Sequence, residues 1–236
     1  MSRIFVTGDT HQSIDISKLN STNFPVNTVL NKEDVMIITG DCGFVWSNSN
    51  EEKYWQKWLE EKNFTTLGCL GNHENYDLIE NFPIVEKWGG KVRQINSSLF
   101  YAISGEIYII DGKTFLFING AESTDKEFRK PHESWWEQEA ITEKDILNAE
   151  LNLKRFNYEV DYIISHAGGE EVVSFLGFNV TKSDNLLSSL LKKTDFKKHY
   201  CGHYHYEKLI DNHQILYDSI DEIYSCGRSN RKGKIK

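Results

Sequence analysis

The chain has 236 residues, 39% of them hydrophobic and 13% aromatic, which suits one sizeable packed core and excludes a disordered chain. Its net charge of −8 argues against an extended nucleic-acid-binding surface, and no apolar run approaches the roughly 20 residues of a membrane span. Four cysteines lack CxxC spacing and no signal peptide is evident, so free thiols in a reducing, cytoplasmic setting are expected.

Five apolar runs, each closed by a polar cluster, read as buried strands. The first, Arg3–His11, ends in Asp9-Thr10-His11, and the second, Asp34–Gly43, ends in Gly40-Asp41. Ser49 and Glu52 then have capping-box spacing ahead of Tyr54, Trp55, Trp58 and Leu59, which fall at helical intervals. The third run, Thr65–Glu74, ends in Gly71-Asn72-His73-Glu74. Asp111-Gly112 divides the stretch EIYIIDGKTFLFING into a hairpin with a type I′ turn. Thr142 and Asp145 repeat the cap spacing before Ile146, Ala149, Leu153 and Phe156. The fourth run, Val160–Gly169, carries Ser165-His166; a helix is expected over Asn185–Lys193. The fifth, His199–His205, contains Gly202-His203-Tyr204-His205, whose two histidines share a face if they lie on a strand. A second hairpin breaks at Asp211-Asn212. Strand–helix alternation with hairpins predicts α/β layers with a mixed sheet, or two sheets packed together. One domain over residues 1–236 is expected, with a basic tail over about 227–236 read as a solvated end.

Five of the eight histidines fall at these strand ends, where α/β folds present functional groups on loops. A lone aspartate after an apolar run is ordinarily a cap or turn residue, so Asp9 and Asp41 gain weight only in company. Together the clusters offer imidazole, carboxylate and amide oxygen, a mixed set that suits Mn, Fe, Ni or Zn better than Ca.

In this order the clusters resemble the pattern D-x-H … G-D … G-N-H-[DE] … H … G-H-x-H of the calcineurin-like metallophosphoesterase superfamily, over Asp9 to His205. The stretches GDCGFVW and EEKYWQKWLEEKNFTTLGCLGNHENYDLI, with STDKEFR and SWWEQE, are similar to its small bacterial and phage branch. The resemblance implies a four-layer α/β/β/α sandwich with two mixed β-sheets and a metal site at the C-terminal ends of the strands. It further implies two divalent ions, manganese first in expectation, with Fe, Ni or Zn as alternatives. One ion would be held by Asp9, His11 and His205, the other by Asn72, His166 and His203, with Asp41 bridging and His73 assisting catalysis.

The implied activity is hydrolysis of a phosphoester by metal-activated water. The leading expectation is a phosphodiesterase on small phosphodiesters, nucleotides or nucleic-acid ends. The alternatives are a phosphomonoesterase, including a protein phosphatase, and a non-catalytic scaffold of the same fold. Two departures bear on this choice. Gln12 stands where many members have glycine, and Phe44 and Val45 replace the Asp and Arg that protein Ser/Thr phosphatases carry after G-D. Lys126, Arg129 and His132 are candidate cations near a phosphate, and Arg129 and His132 are the expected substrate contacts. Trp135 and Trp136 read as core and interface rather than a base-stacking pair, Cys42 and Cys201 as packing residues, and His199 and His213 as ordinary strand or turn positions.

Overall fold

The structure, a computed structural model, describes residues 2–224, so the expected basic tail lies outside the described residues. The strands are β1 (Ile4–Thr7), β2 (Val35–Ile38), β3 (Thr65–Gly68), β4 (Ile84–Lys87), β5 (Gly90–Gln94), β6 (Leu99–Ala102) and β7 (Ile107–Ile110). They continue with β8 (Lys113–Ile118), β9 (Glu159–Ser165), β10 (Asp195–Cys201), β11 (Lys208–Ile210), β12 (His213–Ile215) and β13 (Ile220–Glu222). The helices are α1 (Asn50–Glu60), α2 (Tyr76–Ile79), α3 (Glu143–Leu153), α4 (Gly169–Leu176) and α5 (Lys182–Leu191).

Two mixed sheets form, in the orders β13-β1-β2-β3-β6-β5-β4 and β11-β12-β10-β9-β8-β7. Side-chain alternation sorts their residues into layers. Ile4, Val6, Val35, Ile37 and Leu67 of the first sheet meet Phe115, Phe117, Ile164 and Tyr200 of the second in a shared interior. The opposite face of the first sheet, through Phe5, Met36 and Ile38, packs on Leu59 of α1 and Ile79 of α2. The opposite face of the second, through Leu116, Ile118 and Ile163, packs on Ile146 and Leu153 of α3 and Leu187 and Leu190 of α5. The order is therefore helices, sheet, sheet, helices, as the resemblance implied.

Local chemistry accounts for several element ends. Ser49 accepts a hydrogen bond from the Glu52 N–H, but the Glu52 carboxylate turns away from the cap. Its Oε2 accepts instead from the N–H groups of Trp46, Ser47 and Asn48, tying down the loop before α1. Thr142 and Asp145 form a complete capping box on α3. The expected Asp111-Gly112 hairpin joins β7 and β8, and both turn residues have positive φ, 48° and 73°, as a type I′ turn requires. The helix expected over Asn185–Lys193 begins earlier, because Thr181 and Asp184 make a second capping box that starts α5 at Lys182. Helix α4 and the β4–β6 segment were not anticipated; β4 alternates between exposed and half-buried residues and lacks a buried run.

Candidate metal centre

Strands β1, β2 and β3 are parallel neighbours, so Asp9, Asp41 and Asn72, each a few residues past its strand, gather at one end of the first sheet. Strands β9 and β10 are also parallel and bring His166, His203 and His205 to the corresponding end of the second. Two compact groups result, Asp9 with His11 and His205, and Asp41 with His166 and His203; within each, the ligand atoms lie within 4.8 Å of one another. Asn72 joins the second group, its Oδ1 3.1 Å from His166 Nε2. Asp41 touches both: its Oδ2 lies 3.4 Å from His11 Nε2 and 3.2 Å from His166 Nε2. The expected strand through His205 ends at Cys201, so the shared-face argument for His203 and His205 does not apply. Both instead adopt left-handed backbone, φ 73° and 49°, in a turn that sends them to different groups.

The donor set fits divalent cations. His11 Nδ1 is tied to Asp15 Oδ2 at 2.7 Å and His166 Nδ1 to the Thr39 carbonyl at 3.0 Å. Those outer partners place N–H on Nδ1 and leave the Nε2 lone pairs facing inward, the arrangement a ligating neutral imidazole needs. Burial alone would lower the imidazoles of His11 and His166, but Asp41 and Asp9, with Asp15 at His11 and the Thr39 carbonyl at His166, together outweigh it and push both up to about 9. Burial would raise the Asp41 carboxyl, yet His166 and His11 hold it well below the usual carboxylate range. Burial and the charge of His166 push His203 down to about 4. The buried carboxylates thus favour positive charge at their centre, which a divalent ion can supply.

A family model described as calcineurin-like phosphoesterase matches residues 2–207. The chain belongs to that family. No curated protein matches the chain. Among solved structures, a Staphylococcus aureus protein described as a "putative 5'-nucleotidase", in complex with alpha-ketoglutarate, is similar at TM-score 0.52 and 18% identity. The match covers 93% of this chain and 50% of that one, so this chain spans about half its neighbour's length. At that identity the likeness bears on the fold.

Around this candidate centre lie supports that sequence reasoning missed. Asp15 holds His11 and also accepts from the Tyr217 hydroxyl at 3.1 Å, while the Tyr217 ring stacks on His205 at 4.5 Å. The spacing of His11 and Asp15 was a usable signal, but nothing in the sequence marked Tyr217. Lys18 is buried and donates to the carbonyl oxygen of Asp9 at 2.7 Å. Glu74, fully buried, accepts from the Cys42 N–H at 2.7 Å and the Tyr101 hydroxyl at 2.6 Å, fixing the loop that follows Asp41. Burial pushes its carboxyl up to about 8 against those hydrogen bonds.

His73 is exposed beside the two groups; its N–H donates to Asp41 Oδ1 at 2.8 Å, and Arg129 Nη2 lies 3.4 Å from its Nε2. Arg129 is itself oriented by Asp125 at 2.8 Å. His132 is engaged with Asp77, Nδ1 to Oδ2 at 2.9 Å, and Lys126 with Glu122 at 3.7 Å. Trp136 is core, its Nε1 donating to Asp77, and Trp135 is half-buried. Cys42, Cys69 and Cys201 are buried free thiols, and burial raises each. His199 and His213 occupy strand positions, as expected, on β10 and β12.

Proposed function

We propose that the protein hydrolyses phosphodiesters, either small diesters, nucleotides or nucleic-acid ends, at a dinuclear metal centre. The observation that carries this reading is Asp41 Oδ2, within 3.4 Å of one imidazole from each ligand group. Two cations about 3.5–4 Å apart repel, and a shared carboxylate offsets that repulsion. Asp9, His11 and His205 would hold one ion and Asn72, His166 and His203 the other, with manganese the first candidate for this nitrogen and oxygen set. When bound, the ions supply Lewis-acid activation of the phosphoryl group and of the attacking water.

The chain's own groups do the rest. His73, anchored through its N–H to Asp41, stands at the exposed edge to stabilise developing charge or protonate the leaving oxygen. Arg129 adds a guanidinium beside it. Among the described residues the three cysteines are buried, which supports direct attack by water rather than by a thiol.

A protein phosphatase is disfavoured because Phe44 and Val45 are buried where those enzymes carry the Asp that orients the catalytic His and the phosphate-binding Arg; Arg129, beside His73, is the candidate to meet the phosphate. A phosphomonoesterase is the second reading, favoured by the nucleotidase description of the Staphylococcus aureus neighbour. The assembled ligand set speaks against a non-catalytic scaffold. We read residues 1–236 as one domain, since β13 pairs with β1 and returns the chain to its first strand. The free buried thiols support a reducing, cytoplasmic setting; no helix among the described residues is long and apolar enough to cross a membrane.

Metal-reconstituted protein assayed with bis-p-nitrophenyl phosphate beside p-nitrophenyl phosphate tests the reading. Diester preference supports it, monoester preference promotes the second reading, and inactivity at full metal occupancy overturns both.

A further inference from the structure

A cleft of about 490 Å³ opens beside the metal centre; His203 and His205 line it together with Tyr204, Phe178, Glu122 and Asp184. That size falls within the roughly 300–1,000 Å³ of small-molecule sites. Tyr204 sits between the two ligand histidines, and its hydroxyl accepts from the Gly168 N–H at 2.9 Å, which fixes the ring. Phe178 faces it nearly in parallel, with centroids 6.1 Å apart and 16° between planes. Its backbone is also fixed. Gly177 ends α4 in the left-handed conformation, and the Phe178 N–H donates to the Val173 carbonyl at 3.1 Å in a Schellman-type cap. Yet Phe178 is 59% exposed, an aromatic surface left uncovered at the mouth of a catalytic cleft.

Beside neutral Thr124, Asn179 and Thr181, the polar lining carries two carboxylates, Glu122 and Asp184. Glu122 Oε1 accepts from the Ser183 N–H and hydroxyl, both at 3.0 Å, while its Oε2 has only a 3.7 Å pairing with Lys126. Asp184 is 5% exposed; its Oδ2 caps α5 through Thr181, and its Oδ1 has no hydrogen bond among the described residues. The neighbouring charge of Glu122 adds to burial in raising the Asp184 carboxyl, so the two acids face one region. A ligand that satisfies this wall brings N–H donors on a flat ring.

We propose that this cleft seats an amino-bearing nucleobase of the substrate, stacked on Phe178 and donating to Glu122 and Asp184, so that the phosphodiesters preferred are esters of adenine, guanine or cytosine nucleosides. The proposal rests on the phosphoesterase reading for the reaction, but the cleft makes a separate prediction about binding. The near-parallel rings favour a planar base over a quaternary ammonium, which aromatic groups recognise through cation–π attraction.

The test has two arms on metal-loaded, full-length protein. In the first, 2-aminopurine riboside, which has an amine and no phosphate, is titrated while its fluorescence is read. Saturable quenching is expected, kept in Phe178→Tyr and weakened about tenfold in Phe178→Ala, the scale of one lost stacking contact. In the second, methyl esters of AMP, CMP and UMP are compared with the methyl ester of ribose 5-phosphate. The AMP and CMP esters should exceed the base-free ester about tenfold in kcat/KM, with the gap carried by KM and closed by Phe178→Ala. Glu122→Gln puts a donor where Oε2 accepted, and should shift preference toward the UMP ester. No quenching, with equal kcat/KM for all four esters, overturns the base site and leaves the phosphoesterase reading standing. Quenching without hydrolysis of any ester supports the base site and overturns the reaction assigned to it. Faster hydrolysis of glycerophosphocholine than of every nucleotide ester overturns the base in favour of an ammonium group.

Discussion

Asp15 Oδ2 lies 2.7 Å from Nδ1 of His11, the ring nitrogen turned away from the metal centre. The contact fixes both the tautomer and the orientation of that imidazole. The same carboxylate takes the Tyr217 hydroxyl, and Tyr217 stacks on His205, so one residue steadies two of the three candidate ligands in the first group. Asp15→Ala should weaken one metal site about 10–100-fold, the usual cost of losing such an outer partner. Calorimetric titration with Mn2+ would report it as one weakened site beside one unchanged; two unchanged sites would remove Asp15 from this role.

The loop carrying Asn72 passes so close to Asp41 that a β-carbon on Gly71 would stand 2.1 Å from Asp41 Oδ1 and 2.6 Å from its backbone nitrogen. Backbone cannot yield as a flexible side-chain tip would. Gly71→Ala should therefore displace Asp41, cost about 1–3 kcal/mol of stability from overpacking, and lower occupancy of both metals. Urea denaturation with elemental analysis measures the two effects. Full two-metal occupancy would show that the loops separate without disturbing Asp41.

His73 joins the centre through its backbone, not as one of the ligand groups, and its ring stays exposed beside Arg129. His73→Ala should keep both metals and slow turnover about 10²-fold or more, the range of a general acid. Arg129→Ala should act mainly on KM, since the proposed role of Arg129 is to meet the phosphate's charge rather than the leaving group. Loss of metal in the first variant, or unchanged KM in the second, would contradict these assignments.

How much of this was legible in the sequence depended on whether the cause was local. The polar ends of β1, β2, β3, β9 and β10 could be read because each follows a short buried run, and the Thr142 box because cap and acid lie in one turn. The type I′ hairpin at Asp111-Gly112 was legible for the same reason. Asp15 and Glu74 act through partners brought close by folding: Tyr217 reaches Asp15 from the far end of the chain, and Tyr101 reaches Glu74 from β6. The Phe178–Tyr204 pair likewise depends on α4, whose start after His166 lacks a side-chain cap to announce it. His203 and His205 illustrate the opposite error, in which the spacing was sound but the backbone is a turn.

A buried relay behind the centre gives the protein an acid-sensitive point. His199 and His213 are neighbours across β10 and β12, and their Nδ1 atoms lie 2.8 Å apart, room for one proton between them. His199 Nε2 meets the Ser165 hydroxyl at 2.6 Å, and His213 Nε2 faces Glu171 at 3.2 Å, with Asp211 adding a weaker attraction. Burial and the charge of His213 hold His199 well below the usual histidine range; burial lowers His213 despite Glu171. Below pH about 6.5 the unfolded chain takes up protons at both positions while the folded chain resists. The pair's contribution to stability is thus complete above that pH and lost as pH falls, by up to about 1.4 kcal/mol per pH unit for each histidine. His199→Gln should lower stability near pH 7.5 by leaving partners unpaired, yet flatten its decline between about pH 6.5 and 5, because one proton-accepting site is gone. Urea midpoints across that range, under one fixed metal condition for both proteins, decide it: curves that stay parallel would place the acid sensitivity elsewhere.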